Sequence, residues 1–308
     1  MRRQQGREGA VLMLVLWAVV LLSAVLLKVH GIMRVDVDQA VVDAKTLRAR
    51  LVAESGLALA RHPEIKRDST LLRRGAEGDV EQMEVVVQSE GARLNVNRLL
   101  AQDSDGVLVR LLGDWGLSRE EAEQVRDRWA DWVDADDLTR LDGAEREEYR
   151  KTGQGAYPLN RPFQSLEEAR EVAGVAALLD EKHPGWESAF TVHGDGRLDL
   201  QDAPADLIAA VCEVSRGQAE LLVKTRRGRD GKDGTKDDLK FGTVTEALRI
   251  MGLGEVEGLE ARVAVGAVLL RVESAGVVGG RRVTITEIAP QGAESRQVLA
   301  RWERAGGP

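Results

Sequence analysis

The chain is 308 residues long with a net charge of -8, and 43% of its residues are hydrophobic although only 4% are aromatic. The acidic balance argues against broad nucleic-acid binding, which needs a basic surface, and the single cysteine, Cys212, excludes an internal disulfide framework. The length leaves room for more than one packed unit.

The first element is a membrane span. Segment 10–29 is apolar apart from Ser23 and the Lys28 near its end, and Arg2, Arg3 and Arg7 precede it. A run of about 20 residues matches the roughly 30 Å of bilayer hydrocarbon. A secretory signal core is shorter, about 7–15 residues, and ends in a small-residue cleavage site. Here the run ends in "LLKVHGIMRVDVD", with no such site. The arginines in front predict a cytoplasmic N-terminus, with the bulk of the chain on the other side of a single-pass anchor. Helical spacing then continues through Val37, Ala40, Val41, Ala44, Leu47, Leu51 and Ala58, and no proline intervenes before Pro63. One helix over 10–61 would be about 75 Å long, and its outer half carries a narrow apolar stripe in need of a packing partner.

"VEQMEVVVQSEGARLNVN" (80–97) predicts two strands joined by a turn. Near the C-terminus, "ARVAVGAVLLRVESAGVVGGRRVTITEIAPQ" is rich in β-branched residues, and its "VVGGRR" is a hairpin signal. "ESRQVLARWER" reads as a last strand. Strands on both sides of a helical middle predict one sheet with an insertion. That middle repeats itself: "RLNVN", "SREEAE" and "FQSLEEA" are answered in the same order by "RLDLQ", "SRGQAE" and "FGTVTEA". The pattern predicts a duplication.

Between the second and third marks each half carries an aspartate-rich loop. The first holds Asp131, Asp134, Asp136, Asp137 and Asp142, and the second holds Asp230, Asp233, Asp237 and Asp238. Calcium and similar hard cations take several carboxylate and carbonyl oxygens from flexible loops. Neither loop has EF-hand spacing, since Lys232 and Gly234 stand where oxygen ligands belong. Two readings stay open for each: a cation site, or a solvated, salt-bridged turn. "VAGVA" (172–176) and "MGLGE" (251–255) look like helix-hairpin-helix turns, so a membrane-anchored DNA-binding or DNA-uptake protein is the alternative function. The basic support such a role needs is thin: Arg226, Arg227 and Arg229 are followed at once by acids. No enzyme signature is present. His30, His62, His183 and His193 have no metal-ligand spacing, there is no G-x-S-x-G or Walker loop, and Cys212 sits in an apolar helical run.

A basic leader ending in Gly9, then an apolar run from Ala10 that continues into a long helix, resembles type IV prepilins and type II secretion pseudopilins. Most members carry Glu at the fifth mature position, where this chain has Leu14. That departure resembles the protein K family of the general secretion pathway, the large minor pseudopilins. "ARLNVNRLL", "RWADWVDADD", "YPLNRPFQSLEEAREVAGV" and "LDLQDAPADLIAAV" resemble segments of the same family, with Asp199 and Gln201 in place of its asparagines. The likeness covers nearly the whole chain up to about 288.

The resemblance implies an α+β fold: a long N-terminal transmembrane helix, a pseudopilin-type antiparallel sheet, and a large helical domain, SAM-like or helix-hairpin-helix-like, inserted in that sheet. The expected layout is leader 1–9, long helix 10–62, sheet scaffold 63–96 and 262–308, and helical insertion 97–261. It further implies cleavage by a prepilin peptidase between Gly9 and Ala10, residence in the bacterial inner membrane, and a non-enzymatic role at the tip of a periplasmic pseudopilus. Expected partners are the minor pseudopilins I and J, the pseudopilus and the inner-membrane secretion platform, with no nucleic acid. Calcium is expected in the helical domain.

Overall fold

The computed structural model describes residues 5–76, 78–101, 105–254, 256, 258–292 and 297–306, the side chains of 5–10, 29–37 and 105 excepted. Its first element, α1 (Gln5–Ala60), is an unbroken helix of 56 residues, about 84 Å long at 1.5 Å per residue. The 18-residue window Val11–Lys28 has a mean hydropathy of 2.6, with no part buried inside the protein. Such a surface is stable only in an apolar medium.

Two short strands follow, β1 (Arg73–Arg74) and β2 (Glu81–Ser89). The chain then leaves for a long helical excursion built twice on one plan. The first copy opens with β3 (Leu94–Asn95), α2 (Val96–Ala101), α3 (Asp105–Asp114) and α4 (Arg119–Val133). It passes through the first acidic loop to α5 (Arg146–Lys151), α6 (Leu166–Glu171), α7 (Val175–Lys182) and β4 (Phe190–Thr191). The second copy runs β5 (Leu198–Asp199), α8 (Ala205–Cys212), α9 (Arg216–Arg226), the second acidic loop, α10 (Val244–Ile250) and β6 (Val263–Ala264).

Each copy is closed by a two-residue parallel pair, β3 with β4 and β5 with β6. The longest helix of each, α4 and α9, starts on a capping box, Ser118 with Glu121 and Ser215 with Gln218. Each box pairs two backbone or side-chain donors that a helix start would otherwise leave open. The repeat marks in the sequence are therefore the opening strands, these capped helix starts, and the starts of α6 and α10. The two copies share a single hydrophobic core, in which α3 packs on α8.

The expectation of a hairpin over 80–97 needs correction. Only β2 belongs to the main sheet; residues 94–95 pair with β4 far along the chain. Gly91 and Ala92 lie in a 3-10 turn that redirects the chain into the helical part, with Glu90 locked to Arg271 at 2.7 Å.

The chain returns through β7 (Leu269–Val278), β8 (Arg281–Pro290) and β9 (Ala300–Gly306). These complete an antiparallel sheet ordered β1-β2-β7-β8-β9. Gly279 and Gly280, both at positive φ, form the two-residue turn between β7 and β8, the geometry that "VVGGRR" predicts.

The C-terminal half of α1 lies across β2, β7 and β8 in a second core of Ala49, Val52, Ala53, Leu57, Met83, Val85, Val272, Val283 and Ile285. The contact is unusually close. A Cβ on Gly276 would fall 2.0 Å from the Ala49 carbonyl oxygen, and one on Gly56 would fall 2.2 Å from Ser274 Oγ. This reverses the expected helix face. Ala49, Ala53 and Gly56, flanked by Val52 and Leu57, meet the sheet, and Leu47 and Leu51 remain 58% and 57% exposed on the outer side. Apolar periodicity counts bulk, whereas close approach selects Gly and Ala. Ion pairs fasten the edges: Arg50 to Glu303 at 3.0 Å, Arg301 to Glu287 at 3.1 Å, and Arg61 also to Glu287.

Candidate functional site

The first acidic loop follows the end of α4. Asp131 is the last helical acid, fully buried, and its carboxylate accepts from the Arg140 guanidinium at 2.6 Å and from the Arg140 backbone N–H. The same guanidinium reaches Asp134. Asp136 accepts the backbone N–H of Leu138 at 2.8 Å and so closes its own turn. Asn160 donates to the Asp136 carbonyl at 3.1 Å and faces Asp137. Asp142 stands apart from this group, its backbone N–H donating to Asp127. Gly143 lets the loop cross over Asp131, since a Cβ there would lie 1.9 Å from Asp131 Oδ2.

Two residues join this loop that sequence reasoning missed. Glu145 is only 4% exposed, and both its carboxylate oxygens are buried without a partner. Asp134 Oδ1 and Asn160 Oδ1 are buried and unpartnered as well. Burial first, then the charges of Asp131, Asp134 and Asp137, push the Glu145 carboxyl up to about 7. Burial also raises Asp131, against the pull of Arg140. Four unpaired oxygens in one acidic loop are costly unless a cation or a proton joins them. Hard, oxygen-only donors of this kind suit calcium. Among the described residues no three His, Cys, Asp or Glu side chains close into a finished cage; in the first loop a guanidinium stands between the acids instead.

The second loop is different. Asp237 Oδ2 accepts the backbone N–H groups of Arg229 and Asp230 at 2.6 and 3.1 Å, Asp238 accepts those of Gly234 and Thr235, and Asp230 accepts that of Lys232. The bond from Thr235 and then those backbone donors hold Asp237 below the usual carboxylate range. Asp233 pairs with Arg227 at 2.7 Å. Below them lies Arg226, 2% exposed, donating to the carbonyls of Leu200 (3.0 Å), Ala203 (2.6 Å) and Asp202 (3.2 Å). This loop's acids are satisfied by N–H groups and arginines, and they leave no orphaned carboxylate. The first loop has unpartnered oxygens of the kind calcium takes, although no three of its acids are gathered around one point, and the second loop leaves no such oxygen among the described residues.

The other singled-out positions lie elsewhere. Gly9 and Ala10 fall inside α1, and Leu14 is an exposed residue of its apolar run. The turn at 172–174 is filled by the chain's own Arg128, whose guanidinium donates to Ala173 O and abuts Gly174. That turn therefore serves internal packing, against the nucleic-acid reading. Cys212 is buried, and burial pushes its thiol up to about 12.

Residues 92–182 match the family model for "Type II secretion system (T2SS), protein K". A type II secretion system protein K of Pseudomonas aeruginosa is 29% identical over 233 residues, or 73% of this chain and 66% of that relative. Another, of Klebsiella pneumoniae, is 32% identical over 127 residues, or 39% of this chain and 38% of the relative. These matches make the chain similar to type II secretion system protein K. The matches thus span about two thirds and about two fifths of these relatives' lengths. The fold agrees as well: a solved chain from the GspK-GspI-GspJ complex of the enterotoxigenic Escherichia coli type 2 secretion system superposes with a TM-score of 0.60 at 17% identity. That superposition covers 89% of this chain and 98% of the other. The family match at 92–182 takes in the first acidic loop, Glu145 and Asn160.

Proposed function

We propose that this chain is a minor pseudopilin that caps the tip of a periplasmic pseudopilus in type II protein secretion, with a structural and assembly role and no catalysis. The observation that carries the reading is the family match to protein K, borne on a chain whose apolar N-terminal helix runs unbroken into a sheet-bound head. The outward stripe of Val41, Leu47 and Leu51 on α1 supports packing against helices of neighbouring subunits. The partners are other minor pseudopilins, since the solved relative is in complex with GspI and GspJ; the inner-membrane platform and prepilin peptidase complete the set. The N-terminus faces the cytoplasm, and cleavage leaves Ala10 as the first residue. Leu14 then offers no carboxylate to a neighbour's amine, which suits a subunit that sits at the tip, and the bulky head blocks stacking above it.

The test is co-expression of the full chain with I-like and J-like pseudopilins and prepilin peptidase in a secreting bacterium. Copurification in detergent, an N-terminal mass starting at Ala10, and loss of copurification in Leu47→Glu/Leu51→Glu are expected. A chain that never copurifies with either partner, or that labels regularly along overexpressed filaments, overturns the tip assignment.

Calcium in the first acidic loop is part of this proposal. Asp131, Asp134, Asp137, Glu145 and Asn160 would hold the ion, which would neutralise carboxylates that otherwise repel one another and so fasten the loop to α4.

A further inference from the structure

The two acidic loops occupy matching places in the duplicated plan, yet each already contains a cation that belongs to the chain. In the second copy it is Arg226, fully enclosed, with three carbonyls and Asp233 around it. In the first it is Arg140, whose side chain is 41% exposed and which bridges Asp131 and Asp134 from the solvent side. Arg226 extends from the end of α9 and is surrounded by main chain. Arg140 sits in a loop between Leu138 and Leu141, which are 77% and 94% exposed. One guanidinium is built in; the other is held only by the acids it neutralises.

We propose that Arg140 is a resident counter-cation that a divalent ion exchanges for, so that the first loop alternates between an arginine-closed and a metal-closed form while the second loop is permanently arginine-closed. Three observations carry this. Arg140 satisfies Asp131 and one oxygen of Asp134, but Asp134 Oδ1, both oxygens of Glu145 and Asn160 Oδ1 are buried without partners. A single guanidinium therefore leaves the donor set incomplete on the inner side. The guanidinium is planar and donor-only, and it cannot gather oxygens from all sides as a spherical ion does. Arg140 is also free to leave, because the loop keeps its shape through the Arg140 backbone N–H to Asp131, the Asp136 turn and the Asn160 bond, none of which uses the guanidinium. The cost of displacing an exposed arginine is small compared with that of leaving buried carboxylates unpaired.

The inference rests on the calcium reading of the first loop, and the experiment separates the two. Calcium binding to the full-length chain in detergent is measured by calorimetry, together with melting in calcium and in chelator, for the natural chain, Arg140→Gln and Arg119→Gln. Arg119 pairs with Glu123 on the exposed start of α4, so its loss changes net charge equally without touching the loop. Removing the competitor should tighten calcium binding about tenfold or more, lower the melting temperature in chelator, and leave the calcium-loaded melting temperature unchanged. Arg119→Gln should do none of these. If the natural chain binds calcium and Arg140→Gln binds equally or more weakly, the exchange is wrong and the calcium site stands. If Arg119→Gln tightens binding as much as Arg140→Gln, bulk charge explains the effect and the exchange is wrong. If the natural chain binds no calcium at millimolar concentration, the calcium reading falls, and the exchange falls with it.

Discussion

The two copies of the helical plan fill their interiors with different chemistry. The first is aromatic: Trp129 lies at the centre of a set of rings with Phe163, Trp186 and Phe190, and Trp132 packs on Tyr149 and Tyr157. The second is aliphatic apart from Phe241, and its equivalent centre is Arg226, counted the same distance from the capping serine as Trp129. One strand–helix–loop–helix–strand plan can thus be closed by ring packing or by a guanidinium holding main-chain carbonyls. The closure then decides what the adjacent loop has left over. Arg226 brings its charge to 3.6 Å from Asp233, whereas a tryptophan offers only one N–H, which Trp129 gives to Ala169 O at 3.1 Å. The first loop is left with unpaired oxygens because its core residue has nothing to give them.

The largest test of this contrast is to remove each centre. Trp129→Ala should cost about 3–5 kcal/mol through lost burial and a cavity. Arg226→Met should cost about 3 kcal/mol, because several buried carbonyls lose their donor. Arg226→Lys should not restore it, since an ammonium lacks the planar fork. Both variants should unfold in one cooperative transition by circular dichroism and tryptophan fluorescence, because α3 and α8 share a core. Two separated transitions would mean that the copies are independent, and the comparison would lose its meaning.

The loops come next. Calcium at a hundredfold excess over Kd should stabilise the natural chain by about 2.7 kcal/mol. Asp134→Asn with Glu145→Gln should abolish that shift, and changing Asp233, Asp237 and Asp238 to Asn should leave it intact while lowering the melting temperature in chelator. A shift lost through the second loop instead would invert the assignment.

A smaller effect is expected where the copies close. Asn95 donates through Nδ2 to the carbonyls of His193 and Gly194, both at 3.1 Å, while Asp199, its counterpart, accepts the N–H groups of Gln201 and Gly266, both at 3.0 Å. Asp199 Oδ2 is buried beside Ser89 with no partner, and burial raises its carboxyl above the usual range. The folded state therefore holds this proton more tightly than the unfolded chain does. The stabilisation is complete below the ordinary aspartate range and is lost as pH rises through the raised value. Asp199→Asn should be about 1–2 kcal/mol more stable than the natural chain at neutral pH, with the gap closing near pH 4. Melting curves at the two pH values decide it. The smallest expected difference is none at all: Ser118→Ala and Ser215→Ala should each cost about 1 kcal/mol, because the capping boxes are the part of the plan that both copies keep.

Those shared parts are what the sequence announces. The capped helix starts, the glycine pair at 279–280 and the final strand rest on local rules, and local rules are visible in a string of residues. The short parallel pairs were not visible, since two residues such as Leu94 and Asn95 carry no period. The packed face of α1 was misread because Ala49, Ala53 and Gly56 look neutral until a sheet comes within reach. In the site, the aspartates were legible as composition. Glu145 and Asn160 were not, because only burial distinguishes them from the other polar residues of an acidic protein. The difference between Arg140 and Arg226 is likewise a matter of enclosure.

The continuity of α1 has a mechanical consequence. A helix of 56 residues with no internal proline or break is a stiff strut, and one end of it is seated against the sheet with no linker between. An axial push delivered at the membrane end is not absorbed by an elastic segment. It arrives at the head as shear along the Ala49–Gly276 contact, and the Arg50–Glu303, Arg61–Glu287 and Arg301–Glu287 pairs resist the sliding. The head therefore moves with the rod as a piston moves with its shaft.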